Sequence, residues 1–160
     1  MFTRNSVNIF LQKHRDFTFY AFAFDCNAEY AEVNLCFNTE EDFTKTLYSY
    51  QNGKFSESYK TEQAIYELKY NTGDWKFQCF DTMYILEEDE MAEIYGEDIE
   101  EQVNDFMQIF RNVLLDFSLT SEFNNIPKTN DFKILCIDHD EDIEQAELEF
   151  NKLKAIRNIL

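Results

Sequence analysis

The sequence predicts an α+β domain in which a largely antiparallel sheet of about four to five strands is covered by amphipathic helices. Three observations lead to this prediction. Residues 30–38 alternate apolar and polar side chains, which is the period of a strand, and a long segment from Ile99 repeats its apolar residues at the period of a helix. No linker rich in Gly, Pro or Ser divides the 160 residues, so we expect a single domain over 1–160.

The first predicted element is a short helix near the N-terminus. Val7, Phe10 and Leu11 recur at helical spacing, so they should form the buried side of this helix. His14 follows on or beside the same apolar face. We therefore expect His14 to be a packed or capping structural residue rather than a catalytic one.

Two strands are predicted to follow. Residues 17–25 are apolar on both faces and rich in aromatic side chains, which favours a central strand over an edge strand. The alternation in residues 30–38 favours a second strand with one face toward the core. Residues 26–29 are predicted to connect the two strands as a hairpin.

A second helix should begin where the second strand ends. Asn38 is predicted as its N-cap, because Glu41 stands three residues further on, as in a capping box. Phe43, Leu47 and Tyr50 have the spacing of a buried stripe on this helix.

The middle of the chain permits two interpretations. Residues 64–70 and 75–86 are predicted as two extended segments, separated by the turn-forming residues 71–74. Residues 64–70 fit equally well as the continuation of a helix that begins at Thr61.

The C-terminal part is predicted to form a long helix, a buried strand and a last helix. The long helix begins near Ile99, the strand covers 132–138, and the last helix follows it. The apolar residues expected on one face of the long helix are Val103, Phe106, Phe110, Val113, Leu114 and Phe117. Those expected on the last helix are Ile143, Ala146, Phe150, Leu153 and Ile156.

Charge bounds the classes of function. The chain has 32 Asp and Glu against 14 Lys and Arg, for a formal net charge of −18. Direct nucleic-acid binding is therefore disfavoured, because phosphate contacts come mainly from Lys and Arg. No apolar run is long enough to span a membrane and no secretory start is present, so we expect a cytoplasmic protein that does not bind membranes.

The four cysteines do not have the spacing of a zinc site. Cys26, Cys36, Cys79 and Cys136 include no pair separated by two residues. Three of them, all except Cys79, lie in apolar, strand-like runs, where a free thiol behaves as a small buried hydrophobe. We expect reduced core thiols of a cytosolic protein, with no bound metal, and a disulfide or a reactive thiol is the alternative.

The first candidate site is an acidic stretch, since residues 77–110 contain no Lys or Arg but many carboxylates. Two interpretations stay open. The stretch is either a solvated surface that keeps the protein soluble or a docking surface for a basic protein, with fast and salt-sensitive association. The candidates for contact with a partner are Glu87, Glu88, Asp89, Glu90, Glu93, Glu97, Asp98, Glu100 and Glu101.

A second candidate imitates a calcium loop. Asp138, Asp140 and Asp142 alternate, and Glu149 follows eleven residues after Asp138. The sixth position of such a loop needs Gly, whereas Ile143 stands there. A calcium- or metal-responsive module is thus one alternative, and a strand-to-helix junction capped by Asp residues is the other interpretation of the same segment.

Enzyme signatures are missing from the sequence. It has no nucleophile elbow, phosphate-binding loop, dinucleotide fingerprint or HExxH motif, and it has only two histidines. We therefore expect a protein that is not an enzyme and needs no cofactor. An enzyme without a recognisable motif remains a further alternative. A well-formed pocket with convergent polar groups would support it.

Three segments resemble a family of small bacterial proteins. They are Phe19–Ala23, Phe37–Glu41 and Lys69–Trp75, and in the third the family more commonly has Trp where Tyr70 stands here. The motifs look structural, so Tyr70 and Trp75 are expected in the core or packed against the turn.

Members of this group look like immunity proteins of polymorphic-toxin and contact-dependent inhibition systems. The resemblance implies a toxin–antitoxin type of pairing, in which this protein neutralises a cognate toxin encoded by an adjacent gene. The toxin is expected to be a basic protein, in the first place a nuclease. It is expected to bind the acidic stretch described above. No catalytic residues carry over from the family.

Overall fold

The structure is a computed structural model that describes residues 1–158, and its fold is α+β, as the sequence predicts. A four-stranded sheet with the order β3-β2-β1-β4 lies between helices. The elements are α1 (Phe2–Lys13), β1 (Phe19–Asn27), β2 (Glu32–Asn38), α2 (Glu40–Gln51), α3 (Glu62–Tyr70), β3 (Phe77–Tyr84), α4 (Glu88–Tyr95), α5 (Ile99–Ser118), α6 (Ser121–Asn124), β4 (Lys128–Asp138) and α7 (Ile143–Ile156). Within residues 1–158, every helix is too short or too polar to cross a bilayer.

The sheet is mixed. β2 pairs antiparallel with β1 and with β3, whereas β4 pairs with β1 in the parallel direction. β1 therefore lies in the interior of the sheet, and this confirms the prediction of a central strand from its two apolar faces. β3 and β4 are the two edge strands. The pairing between β2 and β3 is irregular at Cys36.

Each face of the sheet has its own apolar core. One face carries Phe22, Phe24 and Phe37 of β1 and β2, which pack with the buried sides of α1 and α5. The other face carries Tyr20 and Cys36 with α2 and α3. Because helices cover both faces, the side chains on both sides of β1 are buried. Residues 19–24 can therefore be apolar and aromatic on both faces.

One of the two extended segments predicted in the middle of the chain is a helix. Residues Glu62–Tyr70 form α3, with the Thr61 hydroxyl accepting a hydrogen bond from the Ala64 N–H at 3.2 Å. The prediction of a strand over 64–70 is therefore wrong, and the alternative of a helix from Thr61 is correct. Leu68 and Tyr70 are its buried residues, which turn toward α2 and the sheet.

The cap predicted for α2 is displaced by one residue. Thr39, not Asn38, is the N-cap, because its hydroxyl accepts a hydrogen bond from the Asp42 N–H at 3.1 Å. Asn38 is buried in the sheet instead, where its amide bonds to other elements. Both Asn and Thr are good N-cap residues, so the sequence alone does not show which of Asn38 and Thr39 caps the helix. Tertiary packing decides it.

The long helix is confirmed over Ile99–Ser118, although its buried face differs in part from the prediction. Phe106, Phe110 and Leu114 lie in the core, but Val113 is 44% exposed. Met107 and Leu115, which were not predicted, are buried beside them. In α7 the predicted core residue Ile156 is likewise wrong, since it is 77% exposed.

His14 is confirmed as a packed residue. Its ring lies 4.3 Å from the ring centroid of Phe10 and 5.0 Å from that of Phe77. It closes an aromatic cluster between the end of α1 and the start of β3, and it lies at the helix C-cap.

Candidate functional site

The predicted acidic surface forms one exposed region of the molecule. Its nine carboxylates lie at the N-cap of α4 and on α4, on the turn that follows, and on the first turn of α5, and every one of these residues is exposed. The salt bridges formed by residues 1–158 involve other acids and leave these nine without a cationic partner. Their negative charge is therefore not neutralised by a neighbouring Lys or Arg within residues 1–158. We call this region, residues 87–101, the acidic surface.

Some carboxylates of the acidic surface also serve helix ends. Glu90 accepts a hydrogen bond from the Glu87 N–H at 2.9 Å, and Asp98 accepts one from the Glu101 N–H at 3.0 Å. These contacts hold the beginnings of α4 and α5. Glu88, Asp89, Glu93 and Glu97 lie outside these two contacts.

Exposed apolar side chains interrupt the acidic surface. Ile94 is 61% exposed and Ile99 is 46% exposed, and both lie among the acids of α4 and α5. Tyr84, at the end of β3 and three residues before Glu87, is 62% exposed. Protein interfaces commonly combine an apolar centre with a charged rim, so this composition is typical of a contact surface.

The three motifs of the family resemblance meet in one buried network. The Tyr20 hydroxyl donates a hydrogen bond to the Lys69 carbonyl at 2.5 Å and accepts one from Asn38 Nδ2 at 3.0 Å. Trp75 Nε1 donates to the same Lys69 carbonyl at 2.9 Å, and Asn38 Oδ1 accepts the Lys76 N–H at 3.2 Å. The motifs are thus structural, as predicted, and they join β1 and β2 to the segment between α3 and β3.

The aromatic residues of the third motif are core residues. Tyr70 and Trp75 are each 4% exposed. Both rings pack edge to face on Tyr20, with centroids 5.9 Å away. Their expected role in packing is confirmed, and neither belongs to an accessible site.

A polar site lies around Asp25, on the face of the sheet that carries Cys36, α2 and α3. Asp25 of β1 lines a cavity of about 160 Å³ together with residues 71–73, Asp138 and His139. Burial raises the pKa of the Asp25 carboxyl, while a hydrogen bond from the Thr72 side chain and the nearby His139 lower it. A half-buried carboxylate in a polar cavity can bind a cation or accept a proton.

Two cysteines stand beside this carboxylate. The Cys79 N–H donates a hydrogen bond to Cys36 Sγ at 3.2 Å, and the two thiol sulfurs and one Asp25 oxygen lie within 4.8 Å of one another. The interaction of the two thiols lowers the pKa of Cys79, whereas the same interaction and burial raise the pKa of Cys36. Cys36 is buried and Cys79 is exposed, so the pair has one accessible thiol.

Sequence reasoning did not find the site of Asp25, Cys36 and Cys79. The two cysteines are 43 residues apart, and no spacing rule connects them to Asp25. Burial was predicted for Cys26, Cys36 and Cys136 and is confirmed for all three. The signal available in the sequence was that Asp25 ends an otherwise apolar run in a central strand.

The acids whose spacing resembles that of a calcium loop make other contacts. Asp138 Oδ1 accepts the Ala28 N–H at 3.0 Å, and Asp142 Oδ1 accepts the Gln145 N–H at 2.8 Å as the N-cap of α7. Glu149 accepts a hydrogen bond from Lys152 at 2.7 Å. Within residues 1–158 these acids and Asp140 do not form a cluster with metal-ligand spacing. The capped strand-to-helix junction is therefore the confirmed interpretation for Asp142.

Larger depressions lie on either side of α7. One of about 740 Å³ is lined by α3 and the start of α7, with Glu67, Glu141 and Glu144 among its residues. The other, of about 600 Å³, lies between α5, β4 and α7 and is lined by Lys128, Lys133 and Lys154. Small-molecule sites usually have about 300–1,000 Å³, so these depressions have a suitable volume. The Asp25 cavity is smaller than that range.

The comparison with protein families assigns the chain. Residues 1–155 match the family described as a domain of unknown function, DUF4303, and the chain belongs to this family. No curated protein and no solved structure matches the chain. The family covers nearly the whole chain, and α1 to α7 and all four strands begin within the matched residues.

Proposed function

We propose that this protein is an immunity protein that binds and neutralises a cognate bacterial toxin through the acidic surface. The observation that carries the proposal is the group of nine exposed carboxylates without a salt-bridge partner within residues 1–158. Some acids elsewhere in the described part of the chain, such as Glu40 and Glu141, are paired with Lys or Arg, and others, such as Glu62, are not. The acidic surface differs because its unpaired carboxylates are concentrated within residues 87–101. The resemblance of the three structural motifs to immunity proteins supports the same class.

Electrostatics explains why such a surface suits a toxin that acts on nucleic acid. A nuclease holds phosphate groups with Lys and Arg, so its cleft has positive potential. A protein with a net charge of −18 is attracted to that cleft from a distance. The acidic surface would then cover the cleft and exclude the substrate.

The apolar residues of the surface would supply the short-range part of the binding. Ile94 and Ile99 are exposed between the carboxylates. Apolar contact at the centre of an interface slows dissociation, while the charged rim mainly speeds association. In this proposal the protein acts in the cytoplasm, where a nuclease toxin would meet its substrate, and it does not act as an enzyme.

The test uses the product of the adjacent gene. We expect its C-terminal domain to stop the growth of a bacterial host when expressed alone, and expect growth to return when this protein is expressed with it. The two purified proteins should form a one-to-one complex whose dissociation constant rises with salt concentration. A neighbouring product that neither binds this protein nor harms the host would refute the proposed pairing.

A further inference from the structure

The irregularity in β3 brings two distant cysteines together. β2 and β3 pair at Leu35 with Asp81 and at Phe37 with Phe77, so one residue of β2, Cys36, faces the three residues 78–80 of β3. Such a bulge bends the strand and redirects its side chains. Here it places the Cys79 N–H against Cys36 Sγ at 3.2 Å, where a regular ladder would have a carbonyl acceptor.

Cys79 holds a backbone conformation that is unusual for its residue type. Its φ is +48°, in the left-handed region, and it lies in the middle of a strand. Such a conformation costs about 1–2 kcal/mol for a residue with a side chain. Residues in such conformations persist where the surroundings hold them in place, and they cluster at active sites and ligand clamps. The bulge thus holds Cys79 in a backbone conformation that places it beside Cys36.

Asp25 completes the cluster from the neighbouring strand. It pairs with Asn34, two residues before Cys36, so its side chain is on the same face of the sheet as Cys36. All three ligand atoms lie within 4.8 Å of one another. Tetrahedral zinc with about 2.3 Å to sulfur and 2.0–2.2 Å to oxygen places such atoms about 3.5–3.8 Å apart. Side-chain movements of roughly 1 Å would therefore close the site.

The charges around the cluster favour a cation. Glu32 and Asp138 are the other carboxylates near Asp25, and the Thr72 side chain and His139 are its further polar neighbours. Within residues 1–158, no Lys or Arg is among the charged groups that act on Asp25. A divalent cation would thus enter a region of negative potential.

We propose that Cys36, Cys79 and Asp25 form a zinc site that joins strands β1, β2 and β3. Two thiolates and one carboxylate are ligands of the kind zinc prefers, and the exposure of Cys79 leaves the fourth position to water. On binding, each thiol gives up its proton to solvent and its sulfur bonds to the metal. The site would fasten the edge strand β3 to the centre of the sheet. It is independent of the proposed binding to a toxin.

Cobalt provides the test, because Co²⁺ replaces Zn²⁺ in such sites and its bonds to thiolates absorb in the near ultraviolet. The full chain is kept reduced, freed of metal with a chelator, and titrated with Co²⁺ and then Zn²⁺. We expect a thiolate-to-cobalt absorption band that saturates at one Co²⁺ per chain and disappears when Zn²⁺ is added. A wild-type protein without this band would overturn the proposal.

The variants locate the site. Cys79→Ser changes an exposed residue and should retain the fold, and Cys79→Ser and Asp25→Asn should each weaken Co²⁺ affinity at least about tenfold. The matched control is Cys136→Ala, which removes a thiol from the other cysteine pair, whose sulfurs lie 3.9 Å apart on the opposite face. This control should bind Co²⁺ as the wild type does. A band that persists in Cys79→Ser, or that is lost in a folded Cys136→Ala protein, would overturn the assignment.

Discussion

The Tyr20 hydroxyl donates a hydrogen bond to the carbonyl oxygen of Lys69, 49 residues away, at 2.5 Å. This bond ties the central strand β1 to the end of α3. The same hydroxyl accepts a bond from Asn38 of β2, and burial raises its pKa above the ordinary range of tyrosine. A fully buried hydroxyl with two partners fixes the positions of three elements at once.

We expect Tyr20→Phe to lower the free energy of unfolding by about 1–3 kcal/mol, because it leaves the buried amide of Asn38 without its partner. Urea denaturation measures the change. Tyr70→Phe is the control, since Tyr70 is buried beside Tyr20 but takes no part in this network. It should change stability much less at neutral pH. Equal losses in the two variants would show that the network contributes little.

A second prediction concerns the beginning of α2. Thr39→Ala removes the hydroxyl that accepts the Asp42 N–H, and should lower the free energy of unfolding by about 1 kcal/mol. Thr39→Ser keeps an accepting hydroxyl and should retain most of that stability. Amide hydrogen exchange at Asp42 provides a local measurement. Unchanged protection at Asp42 in Thr39→Ala would contradict the assignment of this cap.

The acidic surface predicts how association with the toxin depends on charge. Reversing Glu88, Asp89, Glu93 and Glu97 to Lys should lower the association rate at low salt at least about tenfold and flatten its salt dependence. These acids are chosen because Glu90 and Asp98 support helix ends, so their reversal would also disturb the fold. Stopped-flow kinetics over a series of salt concentrations measures both effects.

The control for this prediction carries the same net charge. Four exposed acids on other elements, Asp16, Glu62, Glu67 and Asp140, are reversed to Lys. Because long-range attraction follows the whole charge distribution, this control should slow association somewhat, but much less than reversal of the acidic surface. Equal slowing in both variants would place the toxin contact elsewhere.

A further prediction concerns the backbone of Cys79. Its φ of +48° is unfavourable for a residue with a side chain, and glycine adopts this region freely. In protein freed of metal, Cys79→Gly should therefore raise the free energy of unfolding by about 1 kcal/mol. Cys79→Ser keeps the Cβ atom and should give no such gain. If Cys79→Gly is no more stable than Cys79→Ser, the strain at this position is too small to matter.

The pH dependence of stability should reveal the burial of Tyr70. Burial raises the pKa of Tyr70 to about 12 from the ordinary value of 10.0. Above pH 10 the unfolded chain loses this proton more readily than the folded protein, so the free energy of unfolding falls as the pH rises toward 12. The contribution is fully present below pH 10, and about 1.4 kcal/mol of it should be lost by pH 11.

Tyr70→Phe isolates this contribution, because all other groups titrate in both proteins. Between pH 9 and pH 11, wild type should lose about 1.4 kcal/mol more stability than Tyr70→Phe. Urea denaturation at each pH measures the difference. Parallel curves for the two proteins would show that Tyr70 ionises as easily in the folded protein as in the unfolded chain.

The sequence by itself determined the features that depend on local pattern and composition. The two apolar faces of residues 19–24 could be satisfied only inside a covered sheet, and the period of α5 required a helix. The acidity of residues 87–101, and hence their exposure, likewise follows from the cost of burying unpaired carboxylates. These properties reside in neighbouring residues, so the sequence displays them directly.

Only the tertiary structure decided which distant residues meet. Whether residues 64–70 form a strand or a helix depended on packing against α2 and the sheet, because their apolar pattern fits both. Asn38 left its expected cap for the Tyr20 network, and the bulge in β3 joined Cys79 to Cys36 and Asp25. Strand register and bulges are set by contacts across the whole fold, since a shift of one residue redirects every side chain. For that reason, the spacing of residues along the chain does not predict the site of Asp25, Cys36 and Cys79.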